Sequence, residues 1–161
     1  MATSVDTNVI SFLLLDAEQG KADAAQAALE TPMQAGNIVV CGPVFAELLA
    51  TEVWDAATLL AALAEMRFDL DLSMDTETWA GAVYAYAGYL RTRRPTEYMC
   101  PKCQAQQRFR CRACRQELSW PKHILSDFLI GAHAARRGHA LLTDDTGLYA
   151  SFFPHLPLRR L

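Results

Sequence analysis

The sequence predicts one α/β domain built on a mostly parallel sheet, and three observations carry that expectation. Its 161 residues, 52% apolar and 20% charged, suffice for one sizeable core and fall short of two. Short apolar runs of strand length alternate with longer runs of helical character, and parallel strands need such crossovers. Residues that start or stop helices stand at the joints between them.

Ala2 to Val5 reads as a buried strand that ends at Asp6-Thr7-Asn8, followed by an apolar helical run from Val9 to Leu15. A polar break over Asp16 to Gly20 precedes an alanine-rich helix from Lys21 to about Glu30. Thr31-Pro32 is expected to close it, because the residue before proline disfavours the α region. Asn37 to Cys41 is a second buried strand. Gly42-Pro43 then opens a helix with proline in its first turn, which puts Glu47 one turn in, among Val44, Phe45, Ala46, Leu48 and Leu49. A helix from Asp55 to Met66 leads to Phe68 to Leu72, whose alternation fits a short strand with one wet face. Asp75 can cap a long helix that runs to about Arg93 and ends at Arg94-Pro95. Ser126 can cap a helix from Asp127 to Arg137 with Gly138 as its stop. Ala140 to Thr143 is a last buried strand running into Asp144-Asp145, and the chain finishes with a short turn of helix and Leu156-Pro157-Leu158. The whole of 1–161 is one domain, with 96–121 as an insert.

No run approaches the length a membrane span needs, and Asp6 within the first hydrophobic segment argues against a signal peptide, so a soluble cytoplasmic protein with no membrane partner is expected. The formal charge of −3 is unevenly spread. From Arg91 to Lys122 nine basic residues face two acidic ones, a net of +7, which leaves −10 for the remainder. An acidic body with one basic segment suits approach to a polyanion through that segment; a solvated charged loop is the plainer alternative.

In a parallel sheet ligands bind outside the carboxyl ends of the strands. Asp6, Asp144 and Asp145 fall at that edge, and Glu47 and Asp127 in the first turns of helices that begin there. Gathered carboxylates repel one another unless cations neutralise them. Mg²⁺ or Mn²⁺ held by few carboxylates and several waters can bind phosphate oxygens, activate a water and support in-line displacement. Zinc would prefer histidine or thiolate, and no histidine pair has ligand spacing. Each acid also has a plainer reading: Asp6 and Asp127 as helix caps, Glu47 paired with an arginine, Asp144-Asp145 as a turn. Those readings leave the shared edge unexplained.

Four segments, Val5-Asp6-Thr7-Asn8-Val9-Ile10, Pro43-Val44-Phe45-Ala46-Glu47-Leu48, Ser126-Asp127-Phe128-Leu129-Ile130-Gly131-Ala132 and Leu142-Thr143-Asp144-Asp145, together resemble the PIN-domain ribonucleases. They are most similar to the VapC toxins of bacterial toxin–antitoxin pairs. The resemblance covers nearly the whole chain except roughly 96–121. It implies a three-layer α/β/α fold and a metal-dependent endoribonuclease with Asp6, Glu47, Asp127 and Asp145 as the acids that hold Mg²⁺ or Mn²⁺, and Asn8 and Thr143 assisting them. Asp145 is in register with the family's Thr, any residue, Asp pattern; Asp144, its neighbour, is the alternate. The resemblance further implies an antitoxin partner and a homodimer. From a different class, the alternative is a catalytically silent module that binds nucleic acid or protein.

The insert departs from the family pattern. Cys100-Pro-Lys-Cys103 and Cys111-Arg-Ala-Cys114 supply two thiolate pairs that can close a tetrahedral zinc site. With four protein ligands such a site has no open position, so its role is structural: a zinc ribbon ordering a loop too small for a core. Arg108, Arg110, Arg112 and Arg115, with Phe109 among them, offer guanidinium groups and a stacking ring to RNA; a partner contact or solvated ribbon is the other reading. His123 could replace a thiolate, although four cysteines suffice. Cys41 reads as a packed residue, His133 as a packed or solvated residue rather than a ligand, and Trp79, Tyr84, Tyr86 and Tyr89 as a packing face.

Overall fold

The apolar runs form the strands expected of them. The computed structural model describes residues 1–15, 19–92, 98–99, 102–103, 105–117 and 123–161. Along the chain these form β1 (Thr3–Val5), α1 (Thr7–Leu14), α2 (Gln19–Ala35), β2 (Ile38–Cys41), α3 (Gly42–Ala50), α4 (Ala56–Glu65), β3 (Phe68–Asp71) and α5 (Thr76–Thr92). There follow β4 (Tyr98–Met99), β5 (Gln106–Gln107), α6 (Leu125–Arg137), β6 (Ala140–Thr143), α7 (Thr146–Phe152) and β7 (Leu158–Arg160).

Five strands make one sheet in the order β3-β2-β1-β6-β7, and every pairing in it is parallel. The registers Ser4↔Val39, Ser4↔Leu141 and Val40↔Leu70 bring the carboxyl ends of the strands to one edge. Every residue of β1, β2 and β6 is buried, whereas the outer strands β3 and β7 are partly open, which is why the inner strands are continuous apolar runs. The chain steps outward from β1 to β3 and then crosses to the far side of β1 to lay down β6 and β7. Right-handed crossovers, the rule for parallel strands, send the connections of β1 to β3 and those from β3 to β7 to opposite faces, and α3 meets α6 where Glu47 bonds Ser126. The direction of winding therefore reverses at the β1–β6 junction, where an open α/β sheet leaves a crevice. This is the PIN-like three-layer α/β/α fold.

Several boundaries differ from the sequence reading. Helix α2 runs through Pro32 to Ala35. Ala25, Leu29 and Pro32 are buried at helical spacing, so Pro32 continues the apolar stripe, and its carbonyl still accepts a bond from the Gly36 N–H at 3.0 Å. Burial outweighs the local cost of proline. Helix α6 starts at Leu125, so Ser126 lies inside the first turn and does not cap it; Asp127 instead accepts the Ile124 N–H at 2.7 Å. Gly138 ends α6 with φ +66°, the left-handed conformation expected of a glycine stop. The terminal Leu158–Arg160 is a fifth parallel strand, which three residues without alternation could not announce. The helix end at Arg94-Pro95 lies outside the described residues.

Candidate active site

The end of β1 enters the crevice at Asp6. Its carboxylate caps α1 by accepting the Thr7 N–H at 2.8 Å, and its other oxygen accepts from the Asn8 amide at 2.9 Å and the Thr143 hydroxyl at 2.6 Å. Thr143, at the end of β6, is fully buried and also accepts the Asp145 N–H at 3.0 Å, while Asn8 accepts the Asp144 N–H at 3.3 Å. The ends of β1 and β6 are thus stitched together around Asp6. Asp6 is only 5% exposed, and burial pushes its carboxyl up to about 6 against the pull of the Thr143 and Thr7 bonds. The charges of Asp127 and Glu47 push in the same direction.

Glu47 reaches the same place from α3. One of its oxygens accepts from the Thr7 hydroxyl and the other from the Ser126 hydroxyl, so one carboxylate ties α1 to α6. Among the described residues no arginine pairs with it. Asp127, on the first turn of α6, is likewise pushed up to about 6, first by burial and then by Glu47 and Asp145, with the Ile124 N–H opposing. Asp145 caps α7 by accepting the Leu148 N–H at 3.2 Å. The acid in register with the Thr143 motif is therefore the one that acts on Asp127, while Asp144 is exposed.

The capping roles of Asp6 and Asp145 are real, while the charges of Glu47 and Asp127 reach Asp6 and that of Asp145 reaches Asp127; among the described residues no three of these acids stand close enough to hold one metal ion as placed. Sequence reasoning missed three participants. Thr7 and Ser126 hold Glu47, and nothing local marks them, since Ser126 lies 79 residues from its partner. His123 does not sit as a spare thiolate position: its Nδ1 is 3.5 Å from Asp145 and 3.8 Å from Asp127, and its ring meets Tyr89 edge-on. Beside Glu47 and Ser126 opens an apolar cleft of about 600 Å³, walled by Pro43, Leu72, Met74, Trp79 and Leu129. His133 is buried on α6, 3.2 Å from Asp71, as a packed residue would be.

Among the described residues of 96–121, β4 pairs antiparallel with β5, and an isolated bridge joins Arg110 to Glu117. Cys100 lies outside the described residues. Cys103 and Cys114 are exposed and Cys111 half-buried, none of them in a disulfide. A tight turn joins Cys111 to Cys114: the Cys111 N–H reaches Gln116 O at 2.8 Å, and the Arg115 N–H reaches Cys111 O at 2.9 Å with Arg115 at φ +63°. Backbone N–H groups of Cys114 and Ala113, with the Cys114 side chain, hold the Cys111 thiol below its ordinary range. Among the described residues no three His, Cys, Asp or Glu side chains stand close enough together to hold a metal ion as placed. Arg108 and Arg110 face Glu117 at 3.9 and 3.4 Å, so part of the ribbon's positive charge is internally offset; Arg112 and Arg115 are exposed.

The fold and the crevice at its carboxyl edge define the class of molecule to which the chain is comparable. No protein-family model matches the sequence, and no curated protein does. Solved structures match the fold over nearly its whole length. A chain of VapBC2 from Rickettsia felis, bound to a DNA fragment from their promoter, aligns with a TM-score of 0.62 at 15% identity over 99% of this chain and 98% of that one. VapBC-1 from nontypeable Haemophilus influenzae gives 0.57 at 16% over 99% and 98%, and FitAcB from Neisseria gonorrhoeae 0.54 at 15% over 97% and 95%. At these identities the likeness is one of fold.

Proposed function

We propose that the protein is an endoribonuclease dependent on Mg²⁺ or Mn²⁺, the toxin of a toxin–antitoxin pair, with Asp6, Glu47, Asp127 and Asp145 as its catalytic acids. The observation that supports this reading is that Asp6 feels Glu47 and Asp127 at the β1–β6 crevice and Asp127 feels Asp145, with Asp6 and Asp127 both pushed up to about 6. Two carboxyls raised by burial and by neighbouring carboxylates gain from a cation at neutral pH. The donor set is hard oxygen, which suits Mg²⁺ and Mn²⁺. Mg²⁺ is commonly held by one or two carboxylates with several waters, so the lack of a three-sided cage is compatible with it.

When bound, the ion supplies a water activated for attack and offsets charge on the phosphate oxygens. The chain's own contribution is placement. Thr7, Asn8 and Thr143 fix the Asp6 carboxylate, and Thr7 and Ser126 fix Glu47, so neither has to be ordered when substrate arrives. Asn8 and Thr143 thereby join the end of β1 to that of β6. The ribbon's Arg108, Arg110, Arg112 and Arg115 hold the RNA backbone through charge, with half-exposed Phe109 as a stacking ring. The toxin–antitoxin reading draws on the fold neighbours, which are VapBC and FitAB complexes. It brings an antitoxin protein and a homodimer as partners.

Cys100, Cys103, Cys111 and Cys114 are proposed to hold one structural zinc. The Cys111–Cys114 turn, whose N–H groups point at a sulfur and favour its thiolate, supports that part. Protein purified without added metal is expected to carry one zinc, lost in Cys103→Ser and Cys111→Ser; protein free of zinc would remove the ribbon metal and leave the nuclease reading standing. The test of activity is cleavage of a mixed RNA panel with Mg²⁺, Mn²⁺ or chelator. Metal-dependent cleavage that Asp6→Asn abolishes is expected, and equal cleavage by that variant would defeat the assignment.

A further inference from the structure

One buried group near the acids has no part in the account so far. Tyr149 is four residues beyond Asp145 on α7, and side chains on a helix lean toward its N-terminus, so the phenol points back toward the strand edge from which α7 starts. The residue is 1% exposed, yet its hydroxyl makes no hydrogen bond among the described residues. An unmade bond at a buried hydroxyl destabilises the fold, and phenylalanine would fill the same space without it. Thr3 and Trp54 also carry buried polar atoms that make no hydrogen bond among the described residues. Tyr149 differs in its surroundings: Asp6 acts on it as a charge and as an acceptor within reach, Asp127 acts as a second charge, and burial with these keeps the phenol protonated. As placed the hydroxyl makes no hydrogen bond among the described residues, with the Asp6 carboxylate the acceptor nearest its reach.

Asp6 has the complementary vacancy. An ionised carboxylate can accept about four hydrogen bonds. Among the described residues Asp6 accepts three, from the Thr7 N–H, the Asn8 amide and the Thr143 hydroxyl. From these observations, and resting on the metal-dependent reading above, we infer that Tyr149 is a positioning residue for Asp6: a small turn of the carboxylate lets the phenol hydroxyl donate to it from the core side and lock it in the orientation that holds the cation. The hydroxyl is then kept at a cost in stability because it serves the loaded site. It does not touch substrate.

The inference separates two quantities that a packing role would move together. Mn²⁺ affinity, measured by calorimetry, is expected to fall about tenfold in Tyr149→Phe, the lower end of what losing a residue that orients a metal ligand costs. Its unfolding temperature in chelator is expected to equal or exceed that of the unchanged protein, because the variant removes an unpaired buried hydroxyl. Tyr149→Leu, which also loses the ring, should lower both. Unaltered Mn²⁺ affinity in Tyr149→Phe, where Asp6→Asn has lost it, would overturn the inference and leave the catalytic reading intact. Weaker binding together with a lower unfolding temperature in Tyr149→Phe would assign a packing role and overturn it too. Failure of the unchanged protein to bind Mn²⁺ would overturn both the reading and the inference.

Discussion

Asp6 illustrates how one side chain can be a helix cap, a strand-end tie and a charge held at a cost. Its carboxyl is raised from 3.8 to about 6 mainly by burial, so the folded protein keeps a proton that the unfolded chain has released. Stability from this source is complete below about pH 4 and lost as pH rises through about 6, on the order of 3 kcal/mol for Asp6 alone. Asp127 adds to the loss over the same window. Urea unfolding in chelator is expected to give a lower midpoint at pH 7.5 than at pH 5.5, with Mn²⁺ restoring much of the difference at pH 7.5. A midpoint indifferent to both would mean that the acids are not strained together. Ser126→Ala should leave the midpoint nearly unchanged while slowing RNA cleavage, because it releases one Glu47 oxygen. The placement of Asp6, Asp127 and Asp145 was legible because each sits where a strand ends or a helix begins, whereas Glu47, on the second turn of α3, stood out only as a carboxylate in an apolar helix. The hydroxyls of Thr7 and Ser126 and the imidazole of His123 were not, since their roles exist only once distant segments meet.

At the scale of elements, α6 does most to build the site. It carries Ser126 and Asp127 on its first turn, then a buried stretch from Phe128 to Ala134 against the sheet. Gly131 in that stretch gives room for Phe153, whose ring would lie 2.6 Å from an added Cβ. The stop at Gly138 lets the chain turn directly into β6 and so deliver Thr143 to Asp6. An alanine there meets no atom within 4 Å but must keep φ +66°, so Gly138→Ala is expected to cost about 1 kcal/mol, with asparagine costing less. A loss beyond about 3 kcal/mol by denaturant unfolding would point to a contact other than the turn. Leu48, beside Glu47 on α3 and fully buried, is expected to cost about 2 to 5 kcal/mol when cut to alanine. Helix existence was readable from period and punctuation. The passage of α2 through Pro32 was not, because a buried stripe decided by packing overrode a local rule, and β7 was too short to show a pattern.

For the whole molecule, parallel connectivity brings the ends of distant segments together: it collects the carboxyl ends of β1, β2 and β6 on one edge, and the reversal of winding leaves the crevice there. The sheet order itself could not be read from one sequence, because strand pairing is a property of the folded chain. The insert adds charge of opposite sign to that of the body, and RNA affinity is expected to fall steeply with salt, with Arg112→Ala and Arg115→Ala reducing the slope. The central claim is that the acids work as a unit holding the catalytic ion. The most direct measurement compares the rate of Mn²⁺-dependent RNA cleavage in Asp6→Asn, Asp127→Asn and the double variant. Each single change is expected to lower the rate by about a hundredfold or more, and the double to lose little beyond either, as members of one catalytic unit do. Full activity in either single variant, or losses that multiply independently in the double, would contradict the account.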